Sequence, residues 1–161
     1  MVLPLLLLAG CDYPMASQKE VDVCALALEA ATSALHGTPV TEGGPGTCQF
    51  QVEGEDGDGG RIQVGVLTRA AVGGSGKLDQ SLRLTLAEAA QTYGNGGSPE
   101  FGDLAELAMA FGTDPSASPR QVVVAGRGVM LEVFIGAETE LSHDEVVALT
   151  QALWAQVAAY K

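Results

Sequence analysis

The spacing of apolar residues along the chain predicts three helices. The first follows Asp22, a residue type that favours the N-cap position, and ends before Gly37. The second spans residues 78–93, and the third begins at Ser142 and Glu145, which are spaced as a capping box. The second and third helices each carry one apolar stripe for a core to cover. The stripes consist of Leu78, Leu82, Leu86, Ala89 and Tyr93 in the second helix and of Val146, Leu149, Leu153, Val157 and Tyr160 in the third.

Strict alternation of apolar and polar residues predicts strands over 47–53 and 61–70. The acidic, glycine-rich segment 54–60 between them predicts a hairpin turn. A calcium loop is the alternative there, because hard cations take clustered carboxylates, although the spacing differs from that of an EF-hand. Residues 106–111 also suit a strand, since the stretch is short and flanked by glycines. The carboxylates of the calcium alternative are Glu53, Glu55, Asp56 and Asp58.

The strongest strand signal lies in residues 121–135, where two β-branched runs flank Gly126-Arg127-Gly128. This pattern predicts a tight hairpin in the middle of the sheet, with Arg127 exposed at its tip. The order of elements predicts one α+β domain over residues 22–161. Its sheet is expected to be mostly antiparallel, with about five strands and with N-terminal, middle and C-terminal helices.

The chain begins with an apolar run over residues 2–8. This run is too short to cross a membrane, which takes about 20 residues. It leads into Leu8-Ala9-Gly10-Cys11, a tetrad that resembles the cleavage box of bacterial lipoproteins at every position. The alternative is a buried N-terminal strand or helix that ends in Gly-Cys.

The resemblance implies that residues 1–10 are a signal peptide, removed between Gly10 and Cys11. Cys11 would then carry a diacylglyceryl group, and two acyl chains suffice for stable anchoring. Residues 11–21 are polar and without period, as expected of a tether. The predicted location is the membrane of a bacterial cell envelope. Asp12 resembles the signal that retains some lipoproteins in the inner membrane of Gram-negative bacteria.

Lipidation of Cys11 would leave Cys24 and Cys48 as a pair. In an oxidising compartment two such cysteines are expected to form a disulfide. Two buried thiols, or half of a metal site, are the alternatives. Zinc prefers a tetrahedral set of ligands, and only His36 and His143 remain to complete one, so we predict no metal.

Acidic residues dominate the charge of the chain, with 20 Asp and Glu against 8 Lys and Arg and a net charge of -12. This charge repels phosphate backbones, so nucleic acid is not an expected partner.

Few residues are placed for catalysis. Ser75 and Ser98 lie in glycine-rich segments, but neither belongs to a G-x-S-x-G motif. Residues 73–77 join a strand to a helix as a phosphate-binding loop does, yet Ala71 and Leu78 stand where such a loop needs Gly and Ser or Thr. We therefore predict a flexible connection there, no catalytic residues and no cofactor. A hydrolase is the less favoured alternative.

One further resemblance covers most of the chain beyond Asp22. Helix, strand, hairpin and closing helix follow the order seen in small bacterial lipoproteins with a paired-cysteine domain, which are often related to the PsbP-like sandwich. The resemblance implies the fold and brings no catalytic residues. The segments that carry it are "CALALEAATSALHGTPV", "GTCQF", "FGDLAELA" and "VVVAGRGVMLEVFI".

The predicted function is a lipid-anchored envelope domain that binds or positions another envelope component, with no chemistry of its own. The alternative is a carrier of a small apolar ligand, held in a groove between the sheet and the terminal helix. Phe134 and Trp154 would line such a groove, although packing in the core is the more ordinary role for Trp154.

Overall fold

The computed structural model describes residues 21–34, 40–52, 60–94, 97, 105–114 and 117–159. The helices within these ranges are α1 (Val23–Ala34), α2 (Arg69–Val72), α3 (Ser75–Tyr93) and α4 (His143–Ala159). The strands are β1 (Val40–Gly44), β2 (Thr47–Val52), β3 (Gly60–Thr68), β4 (Leu107–Phe111), β5 (Gln121–Gly126) and β6 (Val129–Ile135). The predicted α+β class, with helices near both ends and in the middle, is confirmed.

The strands form one antiparallel sheet in the order β1-β2-β3-β6-β5-β4. The described residues form six strands, whereas about five were predicted, because the sequence of β1 has no recognisable strand pattern. Its sequence, "VTEGG", has little apolar alternation, and backbone pairing with β2 is what defines it. An edge strand of this kind depends on its neighbour for stability, so its own composition is a weak signal.

The predicted hairpin over 121–135 is confirmed, and all six residues of β5 are buried. Arg127 and Gly128 form its turn with φ values of 53° and 78°. Two successive positive φ values suit the twist of a two-residue hairpin. Arg127 is exposed at the tip, as predicted.

Helices α1 and α4 pack together on one face of the sheet, which we call the closed face. Asp22 caps α1, since its Oδ1 accepts a hydrogen bond from the Ala25 N–H at 3.0 Å. The predicted capping box of α4 is also confirmed. Glu145 accepts from the Ser142 N–H at 2.7 Å, while the Glu145 N–H donates to Ser142 Oγ at 3.3 Å.

The closed face holds the larger core of the domain. Trp154 is 2% exposed there, which confirms its packing role. Val21 is also buried, at 6% exposure, so the core begins at the last residue of the predicted tether. The strands contribute to this core Cys48 and Phe50 from β2, Ile62, Val64 and Val66 from β3, Ala110 from β4, Val122 and Val124 from β5, and Leu131, Val133 and Ile135 from β6.

Helices α2 and α3 lie on the opposite face, which we call the open face. Its smaller core joins the predicted stripe of α3 to Phe111, Val123 and Met130. The short α2 was not predicted, and Thr68 caps it by accepting from the Ala71 N–H at 3.1 Å. The predicted flexible connection over 73–77 is wrong in its second half, because α3 already begins at Ser75.

Candidate functional site

A disulfide joins Cys24 of α1 to Cys48 of β2, with 4.9 Å between the two Cα atoms. This pairing was predicted, and it fixes the first helix to the sheet. The bridge also lies against β1, where a Cβ atom at Gly43 would overlap Cys24 Sγ. Cys48 is buried and Cys24 is half-buried, so the bridge lies at the border of the core.

Helices cover only part of the open face of the sheet. Helix α3 covers β4, β5 and β6, and α2 contacts β3, whereas Thr47 and Gln51 of β2 are exposed. One rung of the sheet illustrates the change, because strand pairing aligns its residues across the sheet. That rung runs through Glu42, Gln49, Gln63, Phe134 and Gln121. This rung therefore carries four polar side chains and one half-buried ring, and its Gln121 is buried.

A groove with a volume of about 370 Å³ lies beside Ala71 of α2, where β2 begins, β3 ends and β6 begins. Gly65 forms part of its floor, opposite Thr47 on one side and Glu132 on the other. Because Gly65 has no side chain, the space between its two neighbours stays open. We call this cavity the Glu132 groove, lined among others by Val21, Pro45, Thr47, Leu67, Met130 and Glu132.

Glu132 is the one carboxylate among the residues that line this groove. Its Oε1 accepts a hydrogen bond from Gln121 Nε2 at 2.5 Å. Burial raises the pKa of Glu132 above its ordinary value, the Gln121 bond opposes that shift, and the negative charge of Glu88 on α3 adds to it. The groove thus combines an apolar wall with an acid that is easily protonated.

A second, more open cleft of about 450 Å³ adjoins the first and shares Val21, Pro45 and Thr47 with it. It runs past Cys24 and Gly43, beside the disulfide. Val21 therefore lies between the two cavities, at the point from which the chain leads back toward Cys11.

Several residues singled out in the sequence lie outside the described residues. These are the cleavage-box residues Gly10 and Cys11, and also Asp12, His36, Ser98, Tyr160 and the segment 53–59, which holds most of the predicted turn and its carboxylates. Of the others, Ser75 is exposed in the first turn of α3 and His143 is exposed at the start of α4.

Within the described ranges, no group of three or more His, Cys, Asp or Glu side chains is arranged to hold a metal ion. None of the helices in this part of the chain is long and apolar enough to span a membrane.

The two side chains proposed to line a carrier cavity do not share one. Trp154 belongs to α4 on the closed face, whereas Phe134 alternates with Val133 and Ile135 and so points to the open face. Helix α4 buries a continuous row of side chains against the sheet. That row consists of Val146, Leu149, Thr150, Leu153, Trp154 and Val157.

The Glu132 groove was not predicted, although the sequence contains a signal for it. Glu132 interrupts an otherwise apolar run in "VMLEVFI", and Gly65 interrupts the alternation of β3. A charge inside an apolar strand and a glycine inside an alternating one each indicate a special environment. Only strand pairing shows that the two residues are neighbours.

Comparison of the chain with protein-family models, with curated proteins and with solved structures yields no match. The lipoprotein and paired-cysteine resemblances stay predictions.

Proposed function

We propose that the chain is an exported, lipid-anchored domain of the bacterial cell envelope that binds a small molecule in the Glu132 groove, without chemistry of its own. The anchor is assigned to Cys11 and the groove to the open face of the sheet. The membrane is then one partner, through the lipid, and the ligand of the groove is the other.

The cysteine pattern supports the anchor. Cys24 and Cys48 are joined to each other, and this leaves Cys11, at the end of the cleavage box, without a cysteine partner in the same chain. Disulfides persist in oxidising compartments such as the cell surface and the periplasm, where lipoproteins work. The bridge and the box thus favour the same location.

The observation that carries the binding role is the make-up of the Glu132 groove. Its volume of about 370 Å³ lies within the range of small-molecule sites, about 300–1,000 Å³. Leu67 and Met130 offer apolar surface, while Thr47 and Glu132 offer polar groups that orient a ligand. Such a combination is typical of binding sites, whereas the close packing of α4 favours a structural role for the other face.

The position of Val21 links the two parts of the proposal. Val21 lines the groove and follows Cys11 by ten positions. Ten residues reach at most about 35 Å even when fully extended. A lipid on Cys11 would therefore keep the groove close to the membrane surface.

The intact mass of the full chain extracted from membranes tests the anchor. We expect a chain that begins at Cys11 with added acyl mass and that gains two hydrogens on reduction. The Cys11→Ser variant should lack the acyl mass and leave the membrane fraction. An unprocessed chain starting at Met1 with three free thiols would contradict the anchor.

Small molecules that co-purify with the full chain test the groove, with native mass spectrometry as the readout. Gly65→Val fills the floor of the groove, and Gly65→Ala is the matched control with a smaller side chain. We expect a bound molecule that Val removes and Ala retains in larger part. Equal occupancy in the wild type and in Gly65→Val would place the ligand elsewhere and contradict the proposal.

A further inference from the structure

We propose that the Glu132 groove is a site for a small organic cation, whose ammonium group pairs with the Glu132 carboxylate while its apolar body lies against Leu67 and Met130. This inference rests on the proposed binding function and specifies the chemical class of the ligand.

The surroundings of Glu132 leave one carboxylate oxygen available. Gln121 donates to Oε1, and within the described residues no group donates to Oε2. Gly65, opposite Glu132 on β3, has no side chain to cover it, and a Cβ atom built there would still be 4.0 Å from Glu132 Cβ. Because Glu132 lines the groove, Oε2 is the carboxylate oxygen that we assign to a ligand there.

The charges around Glu132 favour a positive ligand. Glu88 on α3 adds negative potential at this carboxylate. Among the basic residues of the neighbouring elements, Lys77 of α3 has its Nζ near Gly73, at the end of α2. Arg69 of α2 packs against Gly128 at the hairpin turn, and Arg61 of β3 lies four residues along the strand from Gly65. The net charge of -12 further attracts cations toward the surface.

An ammonium group would also offset the free-energy cost of burying the Glu132 carboxylate. An isolated carboxylate in a partly apolar site is destabilised, and a protonated one is the usual response. A cation bonded to Oε2 would stabilise the charged form of Glu132. A neutral alcohol would give the carboxylate no such stabilisation, and an anionic ligand would be repelled by both Glu132 and Glu88.

Three probes of matched shape separate these ligand classes: 2-phenylethylamine, 2-phenylethanol and 3-phenylpropionate. The full chain is titrated with each probe, and affinities are measured from the amide NMR signals of Gly65 and Thr47. We expect the amine to bind about tenfold or more tightly than the alcohol at neutral pH, since a charged hydrogen bond contributes that much. The carboxylate is expected to bind most weakly.

Two variants of equal charge test whether the preference for the amine depends on Glu132. Glu132→Gln should reduce the affinity for the amine to that for the alcohol. Glu42→Gln removes a carboxylate from β1 outside the groove and should keep the preference for the amine. A pH titration of the wild type is a third measurement. Amine affinity should rise as Glu132 ionises, while alcohol affinity stays constant.

The outcomes separate this inference from the proposed function. If the alcohol binds as tightly as the amine, or if Glu132→Gln keeps the preference, the groove binds ligands but the assignment of a cation is wrong. If none of the three probes shifts the signals of Gly65 and Thr47, both proposals are contradicted.

Discussion

The two faces of the sheet share the same strands and differ in what lies on them. Under α1 and α4, strands β2, β3 and β6 present apolar side chains to the larger core, whereas their other sides carry glutamines, Gly65 and Glu132. The closed face therefore supplies most of the burial that stabilises the fold. Because the open face contributes less to this burial, it can contain a groove and the half-buried Glu132. Stability and binding are thus divided between two sides of one sheet.

The largest effect that tests this division is expected at Trp154 on the closed face. Trp154→Ala should lower the free energy of unfolding by about 3–5 kcal/mol, since the cavity it leaves cannot collapse in a close-packed core. Leu84→Ala on α3 is the control, because Leu84 is 57% exposed and its loss should change stability by less than about 0.5 kcal/mol. Chemical denaturation measures both.

Trp154→Phe separates the contribution of the aromatic ring from that of the indole N–H. Trp154 Nε1 is buried, and no hydrogen-bond partner for it exists among the described residues. Phenylalanine keeps much of the apolar ring and removes this unpaired N–H, whose burial costs about 1–3 kcal/mol. We expect Trp154→Phe to be far milder than Trp154→Ala. A loss as large as that of alanine would mean that the indole N–H is satisfied.

The second effect in size concerns the disulfide that ties α1 to the closed face. Replacing Cys24 and Cys48 together by alanine should cost roughly 3 kcal/mol on the chain-entropy model. Reduction of the wild type should reproduce this loss, whereas reducing agent should leave the double variant unchanged. If the reduced and oxidised wild types unfold at the same denaturant concentration, the bridge does not constrain the unfolded chain.

Two glycines provide a smaller and more local comparison. Gly43 packs against the disulfide, where a Cβ atom would overlap Cys24 Sγ, whereas Gly65 faces open space in the Glu132 groove. We expect Gly43→Ala to destabilise the protein by about 1–3 kcal/mol through overpacking. Gly65→Ala should instead stabilise it by about 0.4–1 kcal/mol, because alanine restricts the unfolded chain. Thermal unfolding of the two variants side by side is the measurement. A similar loss in both would mean that the groove is closed.

The closed face is also the part of the molecule that sequence patterns predicted best. The capping box at Ser142, the apolar stripe of α4 from Val146 to Val157 and the hairpin over 121–135 are local signals, and all are present in the structure. The first helix and its cap at Asp22 follow for the same reason. A helix or strand that buries one face has apolar residues at a regular spacing, and this spacing can be recognised in the sequence.

The sheet edge, the short α2 and the groove were predicted less well, for a physical reason. The edge strand β1 and the short α2 are held by neighbours rather than by their own patterns. The groove depends on the register between β3 and β6, which places Gly65 opposite Glu132 although 67 positions separate them. Local patterns carry no information on such long-range pairing.

The smallest effect is expected at Glu132, and its pH dependence distinguishes the two faces most directly. The pKa of Glu132 is raised in the folded protein, chiefly because burial disfavours its charged form. The folded state therefore holds this proton in a pH range where the unfolded chain has already lost it. Stability must then fall as pH rises from the ordinary glutamate pKa of 4.5 through the raised one.

Glu132→Gln removes this ionisation while its side-chain oxygen can still accept from Gln121. We expect the variant to be more stable than the wild type above the raised pKa and to show no such gain below the ordinary pKa. Urea denaturation at a series of pH values measures the difference, and Glu42→Gln on the exposed edge strand should show no comparable trend. A gain for Glu132→Gln that does not depend on pH would come from packing rather than from charge. In that case burial would not destabilise the charged form of Glu132, and a bound cation would have no such cost to offset.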